Sequence, residues 1–132
     1  MNKKEIAVGC VILVAVGLCF SVANARPSKR LDPATKQCRI FNVDAEWWGA
    51  GNEIFQQKCK TCHVRGNDKG APFLHSESKT SKAWNRVFFA KYPKCAQDGS
   101  WDITLEEQLV LNDFLYKYAS DTYNAYSAED CG

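Results

Sequence analysis

Apolar or small positions recur at three- and four-residue intervals after Asp44, at Trp48, Gly51, Ile54, Phe55 and Cys59. This period predicts one face of a helix with Asp44 as its N-cap. A second stripe, Trp84, Val87, Phe88 and Tyr92, predicts a helix from about Ser81 to Tyr92. Pro93 ends it, because proline lacks an amide donor and restricts the residue before it. Thr104-Leu-Glu-Glu107 has the form of a capping box, and Leu105, Leu109, Leu111, Phe114, Leu115 and Tyr118 follow at helical spacing. The stretches 64–79 and 93–103 carry glycine and proline and read as loops. Arg26 to Gln37, with two prolines and many charges, reads as a leader to the domain and not as core. No internal repeat, low-complexity tract or convincing strand pair stands out, so the expected fold is all-α.

The first 25 residues follow a different pattern. Lys3 and Lys4 precede an almost wholly apolar run from Ile6 to Phe20, and Ala23-Asn24-Ala25 supplies small residues placed for cleavage. That is the form of a secretory signal peptide. An uncleaved anchor helix is the alternative, since Ile6 to Val22 can just cross a bilayer if tilted or if the bilayer thins around it. The chain therefore divides into 1–25, signal peptide or anchor; 26–43, leader; and 44–132, the domain.

Composition narrows the classes. Removing 25 residues from 132 leaves 107, enough for one small domain with a modest core. The formal charge of +2 falls to +1 with loss of Lys3, Lys4 and Glu5 (17−2 basic against 15−1 acidic). This near-neutral balance argues against nucleic acid as a partner. Five cysteines lie beyond residue 25: Cys38, Cys59, Cys62, Cys95 and Cys131. Export suits them, because oxidising compartments preserve disulfides.

The chemistry concentrates in "GNEIFQQKCKTCH", residues 51–63. In Cys59-Lys-Thr-Cys62-His63 two thiols one turn apart are spaced to add to the vinyl groups of a haem, and the next residue brings an imidazole to the iron. A redox CxxC pair would want a βαβ setting, and a tetrahedral zinc site further paired ligands where the only histidines are His63 and His75. The cofactor expected is one covalent haem c, with iron bound by His63.

This stretch is similar to the N-terminal helix of class I cytochromes c, in which a glycine and an aromatic precede the first haem cysteine in the register of Gly51, Phe55 and Cys59. "LNDFLYKYA", Leu111 to Ala119, is similar to the family's C-terminal helix, which crosses the first at the glycine. "GAPFLH", Gly70 to His75, resembles the segment whose proline carbonyl accepts a hydrogen bond from the proximal histidine, which gives Pro72 that role. The resemblance implies a small class I cytochrome c-like domain with crossing N- and C-terminal helices. It covers residues 44–75 and 104–119 well and 76–103 poorly.

The distal side departs from the family, which places a methionine there. The only methionine is Met1. Cys95, in "YPKCAQDGSW", lies in the loop where that methionine would sit, and a thiolate is a strong iron ligand. Cys95 could instead pair with Cys38 or Cys131 and staple the loop. His75 is the alternative ligand, although its place three residues after Pro72 puts it near the proximal side. Lys91, Lys94 and Asn85 are further candidates, and the distal position could also be open. Without methionine the midpoint potential is expected to lie below that of Met/His cytochromes c. Trp84 and Trp101 are expected to pack on the haem, whereas Lys58, Lys60, Lys69, Lys79 and Lys82 read as a solvated surface or as a docking patch.

These readings converge on an exported, periplasmic electron carrier, not an enzyme, that moves single electrons between redox proteins or within a membrane redox complex. Membrane contact is expected only if residues 1–25 are retained. The rival is a haem-based module whose open or displaceable distal site binds a small molecule or acts catalytically.

Overall fold

The computed structural model describes residues 26–122. The signal peptide or anchor expected at 1–25 and the tail with Cys131 lie outside the described residues. The elements run β1 (Lys29–Leu31), β2 (Cys38–Ile40), a 3-10 turn (Val43–Ala45), α1 (Ala50–Ile54), a π-helical turn (Phe55–Cys59), a second 3-10 turn (Ser76–Ser78), α2 (Ser81–Ala90), the single turn α3 (Lys94–Gln97) and α4 (Leu105–Lys117). No helix among the described residues is long and apolar enough to cross a membrane.

The all-α expectation is overturned by β1 and β2, which pair antiparallel with Lys29 opposite Ile40, Arg30 opposite Arg39 and Leu31 opposite Cys38. Among the described residues the fold is mixed: three helices of more than one turn, a two-stranded sheet and much irregular chain. The hairpin escapes a hydrophobic-pattern reading because its inward residue is a charge. Arg30 has no exposed surface, and its Nε donates to Asp113 Oδ1 at 2.6 Å while Nη1 donates to Asp32 Oδ1 at 3.0 Å. Asp32 also closes the connecting turn by accepting from the Thr35 amide and hydroxyl at 3.0 and 2.9 Å. The segment expected as a leader thus contributes a fully buried side chain to the domain.

α1 is shorter than its pattern suggests. Asn42, not Asp44, caps the preceding 3-10 turn through its side chain, and α1 begins only after Gly49. Gly51 then allows α1 to lie against α4: a β-carbon there would stand 2.5 Å from Phe114 Cβ and 2.9 Å from Val110 O. The helix widens into the π turn, where the Lys60 amide donates to Phe55 O at 3.0 Å, so the chain gains a residue in the turn that ends at the first cysteine of the motif.

α2 starts at Thr80, whose hydroxyl accepts from the Ala83 amide, and stops at Lys91 in the left-handed region (φ 45°), two residues before Pro93. α4 opens on the Thr104–Glu107 capping box, with both reciprocal bonds present. The core is Phe55 from the π turn, Trp84, Val87 and Phe88 from α2, and Leu111, Phe114 and Leu115 from α4.

Candidate functional site

Three thiols face one cleft. The π turn ends at Cys59, and the Cys62 and His63 amides both donate to Cys59 O, at 3.2 and 2.9 Å. This single turn sets Cys59, Cys62 and His63 on the cleft, and Cys95 reaches it from α3 on the facing segment. Trp84, Phe88, Trp101 and Ile103 form the apolar wall, and Lys58 and Lys79 also line the space. The cleft volume is about 160 Å³. Among the described residues no three His, Cys, Asp or Glu side chains gather as a metal-ion group.

The His63 ring is oriented from behind. Its Nδ1 lies 2.6 Å from Pro72 O, so Nδ1–H donates to the carbonyl and Nε2 is the nitrogen with a free lone pair. The chain around that carbonyl is held by Lys60, expected on the solvated surface or in a docking patch, and by Asn67, which the sequence reading did not single out. Lys60 Nζ donates to Leu74 O at 2.8 Å, and the Leu74 amide donates to His63 O at 3.2 Å. Asn67 ties the intervening loop to itself at Val64, Lys69 and Ala71. The signal was present in "GNDKG", where an Asn between two nearby glycines marks a side-chain-closed turn.

Burial pushes the Cys59 thiol up to about 12, and the neighbouring Cys95 and Cys62 sulfurs add to the shift. At neutral pH Cys59 is therefore a neutral thiol in an apolar wall, poorly reactive as a thiolate. Lys69 Nζ lies 3.5 Å from Cys62 Sγ.

Cys95 is a free thiol, as are Cys59 and Cys62, whereas Cys38 is disulfide-bonded. A Cys38–Cys95 staple is therefore excluded, and the partner of Cys38 lies outside the described residues. The segment bearing Cys95 is stitched mainly to itself: Gln97 Nε2 donates to Tyr92 O at 2.7 Å, the Ala96 amide to Pro93 O at 3.0 Å, and Ser100 Oγ to Asp98 Oδ1 at 2.6 Å. It bears on the core through Trp101, set edge-on to Phe88 with ring centroids 5.4 Å apart.

The other candidates fall elsewhere. His75 is exposed and tilts against Trp47, ring centroids 5.9 Å apart, away from the cleft. Asn85 is buried but does not line the cleft, accepting from Asn112 Nδ2 at 3.0 Å and from Arg30 Nη1 at 3.4 Å. Lys91 and Lys94 are exposed and do not line the cleft. Trp84 and Trp101 both do, with the Trp84 indole N–H donating to Ser76 O at 2.7 Å.

No protein-family model, curated protein or solved structure matches this chain.

Proposed function

We propose that the chain is an exported mono-haem c-type cytochrome that passes single electrons between redox proteins or within a membrane redox complex. Cys59 and Cys62 are the thioether attachments, His63 the proximal ligand, Pro72 its support and Cys95 the distal ligand. The observation that carries this reading is the His63 Nδ1 to Pro72 O contact of 2.6 Å beside a cleft onto which Cys59, Cys62 and Cys95 all open.

The residues fit the group. Each thiol would add across a vinyl double bond, sulfur to one carbon and hydrogen to the other, with no leaving group and no net oxidation. Nε2 of His63 is left with a lone pair for iron, and the Pro72 carbonyl increases the basicity of the ring. Trp84, Phe88 and Trp101 would exclude water from the faces of the plate, and Lys58 and Lys79 would meet its carboxylates. At about 160 Å³ the cleft is smaller than the several hundred Å³ usual for cofactor sites, so it would have to widen to hold the group. Bound haem would supply the one-electron iron couple, while the chain holds it and sets its potential. With Cys95 and His63 holding the iron and no methionine among the described residues, the midpoint would lie below that of Met/His ligation.

A second reading is favoured by the self-contained hydrogen bonding of the Cys95 segment. A wall held by packing can yield, so the distal position could admit carbon monoxide, nitric oxide or a sulfur compound. One set of spectra tests both. Protein matured with its haem-attachment machinery should keep haem through acid–acetone extraction, show a low-spin reduced spectrum unchanged by carbon monoxide, and titrate at low potential. A carbon monoxide adduct would favour the second reading, and a chain without covalent haem would overturn both.

A further inference from the structure

Asn67 makes more hydrogen bonds than any other side chain in the loop between His63 and Pro72. Its Nδ2 donates to Val64 O at 2.9 Å and to Ala71 O at 2.7 Å, while its Oδ1 accepts from the Lys69 and Ala71 amides, both at 3.0 Å. Ala71 is thus gripped at both its N–H and its C=O. The carbonyl of Ala71 belongs to the peptide plane that Pro72 follows, and the proline ring locks the next φ. With that plane and that φ set, the direction of Pro72 O depends on one remaining torsion. Beyond Pro72 the chain is pinned again, by the Leu74 amide on His63 O at 3.2 Å and Lys60 Nζ on Leu74 O at 2.8 Å. The loop reaches this shape through Gly66 and Gly70, both with positive φ (67° and 66°).

We infer that Asn67 is a positioning residue for His63: by fixing the Ala71–Pro72 peptide plane it aims Pro72 O at Nδ1, and through that bond it sets the tautomer and donor strength of the imidazole. The inference deepens the haem reading and rests on it for the consequence at iron, but the geometry stands on the chain alone. A purely structural Asn67 would contribute loop stability and nothing at His63.

The experiment compares the full-length protein with Asn67→Ala and Asn67→Ser by two readouts. One is solvent exchange of the His63 Nδ1–H, followed by NMR in the diamagnetic reduced protein. The other is the midpoint potential. In Asn67→Ala the proton should exchange faster by about tenfold or more, and the midpoint should rise, because a weaker donor favours ferric iron less. Each tenfold lost from the ferric preference is about 59 mV for a one-electron couple. Asn67→Ser, whose hydroxyl can still accept the Lys69 amide, should fall between the two. Unchanged exchange and midpoint beside a lowered melting temperature would overturn the assignment. Where Asn67→Ala does not fold, Asn67→Ser decides, and an unmoved midpoint there is equally fatal. If the wild-type chain carries no covalent haem, the function proposed above fails, and exchange of the same proton in the haem-free chain still tests the positioning.

Discussion

Arg30 and Asp113, 83 positions apart in sequence, meet at 2.6 Å with the arginine wholly removed from solvent. Asp113 also accepts from Arg39 Nη2 at 2.6 Å, so a single carboxylate on α4 holds both strands of the hairpin. Breaking a buried pair by removing one partner leaves an uncompensated charge and costs about 3–5 kcal/mol. Asp113→Asn is expected to destabilise by that order, measured by urea unfolding. Arg39→Ala, at the half-exposed partner, should cost about 1 kcal/mol or less. Equal costs for the two would contradict this ranking.

Gly51→Ala should cost about 1–3 kcal/mol, as overpacking does in well-filled cores. The added β-carbon meets Phe114 Cβ at 2.5 Å and the backbone oxygens of Asp44 and Val110 at 2.8 and 2.9 Å, none of which is a flexible chain end. Thermal melting of the variant checks it, and a melting temperature equal to wild type would mean that the helices can part there freely.

Cys95→Met and Cys95→Ala separate the roles of that thiol. If Cys95 ligates iron, methionine at this position should raise the midpoint, and the alanine variant should lose the thiolate signature in electron paramagnetic resonance of the oxidised protein. Spectra identical to wild type would remove Cys95 from the coordination sphere.

Peptide mapping under non-reducing conditions should recover Cys38 in a linked peptide and Cys95 in none. Cys10, Cys19 and Cys131 lie outside the described residues, and the linked peptide identifies which of them is the partner. Reduction, or Cys38→Ser, should destabilise by about 2–5 kcal/mol, the usual cost of losing a native disulfide in a small domain.

Acid should weaken the fold through carboxylates held below their ordinary values, Glu46 and Asp32 among them. The Lys117 ammonium and then the Tyr118 hydroxyl hold Glu46 below its ordinary 4.5. Burial alone would raise Asp32, but the Thr35 amide and Arg30 outweigh it and hold it below its ordinary 3.8. A depressed folded value contributes stability that is present above the unfolded value and lost as pH falls through the folded one. Unfolding free energy should therefore be level near neutrality and decline from about pH 4.5 downward. Glu46→Gln should reduce the upper part of that decline, and an unchanged acid profile would remove Glu46 from the account.

The sequence by itself determined what closes within a few residues. The capping box at Thr104 and Glu107 forms from one turn of chain, and the Cys59–His63 spacing places two thiols and an imidazole on one turn whatever surrounds them. The apolar stripe of α2 was legible for the same reason, since its period needs only a core on one side. Tertiary structure decided the rest. It turned 29–40 into a hairpin, because Arg30 can be buried only where Asp113 waits for it, and no local pattern carries that pairing. It withdrew Cys95 from Cys38 and turned it toward Cys59 and Cys62, and it left His75 outside against Trp47. Contacts between residues tens of positions apart depend on how whole elements pack, so the motif could name the chemistry while only the fold could choose which side chains share its cleft.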